Sequence, residues 1–364
     1  MPGVKNVTDR VIKLVLFLSA LLLGSIPALA SAQGRSETLQ AIAKLKGSER
    51  DARLREGARK EGNLIWYSST TAEDSLALNR KFQELYPFVK VQHLRAPSEK
   101  MIERILLESR AGTFKADLIA LPEIELTVLT QRKLLLKHAG LEHEAFPANV
   151  KDPAGYWTGI YITAWVLAYN TNLLTPKAAP KTYADLLNPK WKKLMGMDIE
   201  PYSWFITSFR YLESQQGAAG ATEYFKRLAS QELEWRKGHS LIGQLIAAGE
   251  FPIGVEMQAG SVERLKAQGA PIDWIALDGV TPINNVGISV TAAGANTHAA
   301  VLYYDFLLSR TGMEIMKARN RIPTRPDVTV PYLKPYKLLP FDAQVVEHFD
   351  RYVAQFKDLL KPRS

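Results

Sequence analysis

The chain has 364 residues, 46% of them hydrophobic, a formal net charge of +9 and no cysteine. The missing thiols exclude disulfides, thiolate nucleophiles and thiolate metal sites, and the length suffices for two hydrophobic cores. The basic excess favours anionic ligands or surfaces through long-range attraction, but no recognisable nucleic-acid module accompanies it.

Lys5, Arg10 and Lys13 precede an apolar run, Leu14 to Leu23, that Gly24 and Pro27 break. Ala28-Leu29-Ala30 and Ala30-Ser31-Ala32 both fit a small-residue cleavage site. The pattern is that of a secretory signal peptide over 1–32, and the run is short for a span of ~20 residues. Removing those 32 residues, with their net +2, leaves 332 residues at +7. The mature chain is expected in the periplasm as a monomer, not embedded in a membrane.

Ser36 to Lys60 is charged and helix-prone, with one weak apolar face formed by Leu39, Ile42, Leu45 and Leu54. Asn63 to Tyr67 is rich in β-branched and aromatic residues and predicts a buried strand. Ser68, Ser69, Thr70 and Thr71 then place four hydroxyls in a row, and Thr70-Thr71-Ala72-Glu73 fits a capping box at a helix start. Leu78, Phe82 and Leu85 follow at helical spacing before Pro87. Taken alone, the hydroxyls read as a helix cap; a helix start is also suited to an anion. Lys90 to Leu94 predicts a strand, Ser98 to Ala111 a helix, Ala116 to Leu121 a buried parallel strand and Glu125 to His138 a helix. This alternation argues for a doubly wound α/β sheet.

Trp157 to Asn170 is long for one strand and is expected to leave the first lobe and enter a second. Strands at Leu194 to Asp198, Phe251 to Met257 and Ile272 to Leu277 alternate with helices at Thr182 to Leu187, Phe205 to Ala229 (interrupted near Gly217 to Gly220), Ser240 to Ala248 and Ser261 to Gln268. Ile283 to Thr291 predicts a strand returning to lobe one, followed by helices at Thr297 to Leu308, Thr311 to Ala318 and Asp342 to Leu360. The expected division is 33–61 as a helical extension, 62–163 with 283–330 as lobe one, 164–282 as lobe two and 331–364 as a helical tail. Hinge motion is expected near Ile162 to Ala164 and Pro282 to Val286, with ligand between the lobes at the carboxyl ends of strands.

The six histidines form no H-x-x-x-H pair, and His138 with Glu142 and His143 reads as a solvated junction. The adjacent Tyr303 and Tyr304 read as core. No nucleophile elbow or P-loop is present, so no catalytic residue, metal or cofactor is expected; Asp198 and Glu200 are the acids an enzyme reading would use. Three helix starts after strands, at Ser69 to Ala72, Tyr202 to Phe205 and Gln258 to Ser261, could converge on a carboxylate, phosphate or phosphonate without any charged side chain. Tyr67, Tyr161 and Tyr202 could add walls or phenol hydrogen bonds, or be core. The candidate ligand-binding residues are Ser68, Ser69, Thr70, Thr71, Tyr161, Tyr202, Ser203, Trp204, Gln258 and Asn285.

The segments EGNLIWYSS (Glu61 to Ser69), KFQELYP (Lys81 to Pro87), KADLIALPE (Lys115 to Glu123), WVLAYN (Trp165 to Asn170) and KTYADLLNPKWKKLMGM (Lys181 to Met197) stand in order. AAGEFPIGV (Ala247 to Val255), AQGAPIDWI (Ala267 to Ile275) and Val301 to Asp327 follow. Together they resemble the extracellular solute-binding proteins of bacterial ABC importers, in the branch that includes the ferric-ion-binding proteins. The resemblance implies a two-lobed class II periplasmic-binding-protein fold, each lobe a doubly wound sheet with a two-strand hinge. It also implies delivery of a solute to a permease, without catalysis.

Ferric members hold metal through a Tyr-Tyr pair after the equivalent of Phe251 to Val255. Here Glu256-Met257-Gln258-Ala259-Gly260 contains no tyrosine. The family's metal histidine falls where this chain has Ser68 to Thr71, and its anion site matches Tyr202-Ser203-Trp204. The expected ligand is therefore a small anionic organic solute. Ferric iron or an iron chelate, a periplasmic enzyme on the same fold, and a receptor feeding a membrane sensor are the alternatives.

Overall fold

The computed structural model describes residues 26–360; residues 1–25 of the expected signal lie outside the described residues. A helix, α1 (Ile26–Lys44), runs through both cleavage motifs and is followed by α2 (Gly47–Glu61). The first lobe then alternates β1 (Asn63–Ser68), α3 (Ala72–Leu85), β2 (Lys90–Arg95), α4 (Ser98–Arg110), β3 (Leu118–Pro122), α5 (Glu123–Gln131) and β4 (Leu135–Leu136). A long strand, β5 (Thr158–Asn170), leads to β6 (Met195–Asp198), α6 (Tyr202–Ala229), β7 (Glu234–Arg236), α7 (His239–Ala248), β8 (Ile253–Gln258), α8 (Ala259–Ala267) and β9 (Ile272–Ile275). The return strand β10 (Val280–Thr291) precedes α9 (Thr297–Leu308), α10 (Arg310–Ala318), β11 (Ile322–Pro323), β12 (Lys337–Leu339) and α11 (Phe349–Leu359).

The strands are ordered β2-β1-β3-β10-β5-β8-β6-β7. In lobe one β2, β1 and β3 are parallel, and β10 runs antiparallel to β3 and to β5. In lobe two β7, β6 and β8 are parallel, and β5 is antiparallel to β8 and β9. One strand thus serves both sheets: β5 pairs with β10 through Thr158–Ala164 and with β8 and β9 through Trp165–Asn170. The crossing pairs are Ile283 with Ala164, Asn284 with Thr163 and Asn285 with Ile162. Among the described residues two strands, β5 and β10, run through both halves.

The helical extension packs into lobe one. Leu39, Ile42 and Leu54 are buried in the core that also holds Trp66, Leu78, Phe82 and α9, each such side chain stabilising by roughly 1.5–3 kcal/mol. Arg35 reaches from α1 to Asp117 at 3.4 Å, and both side chains are almost fully buried. The same carboxylate accepts the backbone N–H groups of Ile65 and Asn296. The extension therefore closes over the start of β3.

Several local expectations are corrected. The helix after β3 ends at Gln131 rather than His138, because Lys133 takes a left-handed φ of 59° and releases the chain into β4. Leu85 is exposed, since α3 buries Leu78 and Phe82 and turns Leu85 outward. His138 is buried under Tyr304, not solvated, and its pKa falls to about 3 through desolvation first, with Arg50 adding to it. The short strands β4, β7, β11 and β12 carry too few residues for a period-two pattern to register. Asp342 to Leu360 divides into a 3-10 turn over Ala343–His348 and α11.

That tail bridges the halves. Phe356 packs against Tyr202, Phe205 and Trp235 of lobe two. Phe341, Val345 and Val346 share a cluster with Ile124 of α5 in lobe one.

Candidate functional site

The carboxyl ends of β1, β6 and β8 each deliver the chain into a helix start: α3, α6 and α8. On the lobe-one side, Thr71 is the N-cap of α3 and accepts the N–H of Asp74 at 3.4 Å. The box is thus Thr71 to Asp74, one residue later than the sequence suggests. Ser68 is fully buried; its hydroxyl meets His93 Nε2 at 2.8 Å and accepts the N–H of Thr70. His93 stacks on Trp66, and burial, then Arg95, lowers its pKa to about 4, so the ring is neutral. Ser69 is half-buried and its N–H donates to the Ala120 carbonyl, while the Thr70 hydroxyl is buried without a partner.

Asp74 departs from the capping role its position offers. Its carboxylate is wholly buried and accepts Arg319 Nε at 2.8 Å and Arg321 Nε at 2.7 Å. Burial alone would raise the Asp74 pKa; Arg321, with the hydrogen bonds from Arg319, Arg321 and Thr71, outweighs it and holds the carboxyl below its ordinary value. The Arg321 guanidinium lies 5.0 Å from the centroid of the Tyr161 ring, a cation–π contact. Tyr161 is buried on β5 beside β11, which follows Arg321 directly.

The lobe-two side comes to the same place. Gln258 is the N-cap residue of α8 and accepts the Ser261 hydroxyl at 3.4 Å. Gly260 stands so near the Asn320 carbonyl that a Cβ there would be 2.1 Å from the oxygen. One turn later on the same helix stands Arg264, within the electrostatic reach of Arg321 and Arg319. Its Nε is buried with no hydrogen-bond partner, and its pKa is lowered by desolvation first and by Arg321 next. The seam thus lies where Gly260 brings α8 of lobe two against the loop whose Arg319 and Arg321 hold Asp74, and whose Arg321 covers Tyr161, in lobe one. Surface cavities of about 270 Å³ and 260 Å³ lie elsewhere, behind α1 and between α6 and the tail.

The remaining sequence candidates are placed differently. Trp204 is buried in the lobe-two core against Phe225, and the Tyr202 ring packs edge-on against Phe349 and Phe356 of α11. Ser203 accepts Asn284 Nδ2 at 3.4 Å and so ties α6 to the hinge strand. Asn285 is buried and donates to Glu123 Oε2 at 2.8 Å and to the Asn149 carbonyl. Tyr67, named as a wall, donates to Glu108 at 3.0 Å.

A second polar cluster lies at the carboxyl edge of the lobe-two sheet. His239 Nε2 is 2.7 Å from Glu256 Oε2, Glu256 Oε1 accepts the Asp198 N–H, and Asp198 accepts the N–H groups of Glu200 and Gly238. Asp198 and Glu256 are therefore committed to backbone and histidine donors. The His239 pKa rises to about 9: burial opposes the shift, and Glu256, then Asp198, override it. Among the described residues no group of three or more His, Cys, Asp or Glu is arranged to hold a metal ion.

Sequence reading missed the arginines and His239. The available signal was the Arg319-Asn320-Arg321 sequence across the end of α10, but an arginine on a helix surface reads by itself as solvated.

Residues 136–347, more than half of the chain, match the family described as bacterial extracellular solute-binding protein. Among curated relatives, the "Iron uptake protein A2" of Synechocystis sp. is 24% identical over 285 residues, covering 73% of this chain and 81% of the relative. Two solved structures share the fold. Iron-bound HitA from Pseudomonas aeruginosa has a TM-score of 0.70 at 18% identity, covering 82% of this chain and 99% of its own. The periplasmic binding protein AfuA from Actinobacillus pleuropneumoniae, with fructose-6-phosphate bound, has a TM-score of 0.72 at 21% identity, covering 83% and 100%.

Proposed function

The chain belongs to the bacterial extracellular solute-binding proteins, and from that premise we propose that it captures a small anionic organic solute between its lobes and presents it to the permease of an ABC importer. Export by the signal over 1–32 is part of this reading, and no helix among the described residues is long and apolar enough to cross a membrane. One observation carries the anion: Arg264 of lobe two, one turn beyond the Gly260 contact with Asn320, has a buried Nε without a partner and lies within the field of Arg321 and Arg319 of lobe one. A buried cationic donor without a partner is costly. An anion in the seam would supply that partner, with the starts of α3 and α8 adding their N–H groups.

The relatives' names offer iron and a sugar phosphate as ligands. A bare ferric ion is the weaker choice for this chain, since the junction of β8 and α8 holds Gln258-Ala259-Gly260, without a tyrosine, and the acids Asp198 and Glu256 are occupied. A ferric chelate of an anionic chelator would still meet the arginines. The test is calorimetry of the folded protein against carboxylates, phosphonates and phosphate esters, with ferric citrate as a separate arm. Binding by the organic anions supports the proposal. Binding by ferric citrate but not by citrate moves the reading to iron, and silence from the whole panel removes it.

A further inference from the structure

We propose that the head group held at this seam is a dianion, clamped by Arg319 and Arg321 from lobe one and closed over by Arg264 from lobe two. The inference rests on the anion-binding function proposed above and names the charge of that ligand.

The first argument is the balance of charge. Three guanidiniums meet at the seam, and Asp74 is the one carboxylate buried among them. Glu73 also faces Arg264 and Arg321, but it is exposed on the first turn of α3, where water and salt screen it. Two positive charges therefore remain without a buried counter-charge at a seam where Arg321 is nearly buried and Arg319 and Arg264 are partly exposed. A monoanion would leave one of them uncompensated; a dianion neutralises both.

The second argument is geometric. Asp74 engages Arg319 and Arg321 through their Nε atoms. Among the described residues their Nη groups have no hydrogen-bond partner. Tyr161 beneath Arg321 fixes the plane of that guanidinium. Asp74 therefore acts as a post that orients two forks, and forks suit the paired oxygens of a phosphoryl or carboxylate group. Arg264 stands on the opposite lobe, so the ligand's second charge would tie the two lobes together. Without an anion the three cations repel one another and disfavour apposition of the lobes; a dianion reverses the sign of that interaction. The charge of the ligand is thereby coupled to closure.

The test compares sulfate with methanesulfonate. Both present tetrahedral sulfur–oxygen faces, and near neutrality one is a dianion and the other a monoanion. Calorimetric titrations run at fixed ionic strength, with R264Q and R264K beside the wild type and far-UV circular dichroism confirming the fold of each. The expected result is sulfate binding about tenfold or more tighter than methanesulfonate. R264Q should bring the ratio close to one and R264K should restore it. Equal binding of the two anions, a ratio that R264Q leaves unchanged, or no binding of sulfate overturns the inference. If monocarboxylates bind while sulfate shows no advantage, the dianion is lost and the anion-binding function stands; if no anion of either panel binds, both fall.

Discussion

A Cβ on Gly260 would stand 2.1 Å from the carbonyl oxygen of Asn320, so the start of α8 touches the opposite lobe through a residue that has no side chain. The obstacle is backbone and cannot swing aside. Gly260→Ala should therefore hold the lobes apart while leaving each intact. The helix itself favours the change by up to about 1 kcal/mol, since alanine costs less conformational entropy than glycine. The expected outcome is unchanged or raised thermal stability with solute affinity reduced about tenfold. Calorimetry and small-angle scattering, with and without ligand, read the two separately; undiminished affinity would show that this contact is irrelevant to capture.

Asp74 holds two arginines at once, so its removal strands both. Asp74→Asn keeps the shape and deletes the charge, and should lower stability by roughly 3 kcal/mol at pH 7. The sign in acid follows from the direction of its shift. A carboxyl whose folded pKa is depressed contributes stability that is present above its unfolded value and is lost as the pH falls through the folded one. The wild type should lose this increment below about pH 4, and the two denaturation curves should converge there.

Glu123 and Glu125 behave in the opposite sense. Burial raises Glu123 to about 7, against hydrogen bonds from Asn285, and raises Glu125 to about 8, with Glu99 adding to it. Acids raised above their unfolded value are bound to a proton in the folded chain where the unfolded chain has released it. Stability should therefore fall as the pH rises from about 4.5 to about 8, by a few kcal/mol in all. The double change Glu123→Gln and Glu125→Gln should flatten that slope. Urea midpoints across the range measure it, and a slope that persists in the double variant would place the titration elsewhere.

Arg35 makes the helical extension structural. Arg35→Met preserves the aliphatic contact and leaves the Asp117 carboxylate buried without its cation, at an expected loss of roughly 3 kcal/mol. A chain begun at Gln33 retains Arg35, whereas one begun at Ser36 should resemble the methionine variant. A chain begun at Ser36 that melts with the chain begun at Gln33 would remove the role of Arg35.

The stretch from β1 to α3 was readable because its signals are local. A run of β-branched and aromatic residues makes a strand, a hydroxyl caps a helix, and Leu78 and Phe82 follow at helical spacing. Trp204 shows where such signals stop: its place at a helix start was legible, but whether the indole meets the cleft or the core depends on how the first half of α6 packs across the break at Gly217 against Phe225 of its second half. The arginines were illegible for the complementary reason. Each lies on or beside a helix, where a cation ordinarily meets water, and nothing nearby in the sequence marks it as facing another lobe.

The sequence by itself determined the alternation of strands and helices, the two crossing strands and the resemblance to exported solute receptors, because propensity, periodicity and motif order are properties of neighbours along the chain. Only the tertiary structure decided that Asp74 serves Arg319 and Arg321, 245 and 247 residues away, and that Arg264 stands within their field on the other lobe. Electrostatic energy depends on distance through space and on exclusion of water. Both are set when β10 returns the chain to lobe one and α8 is brought against the loop after α10.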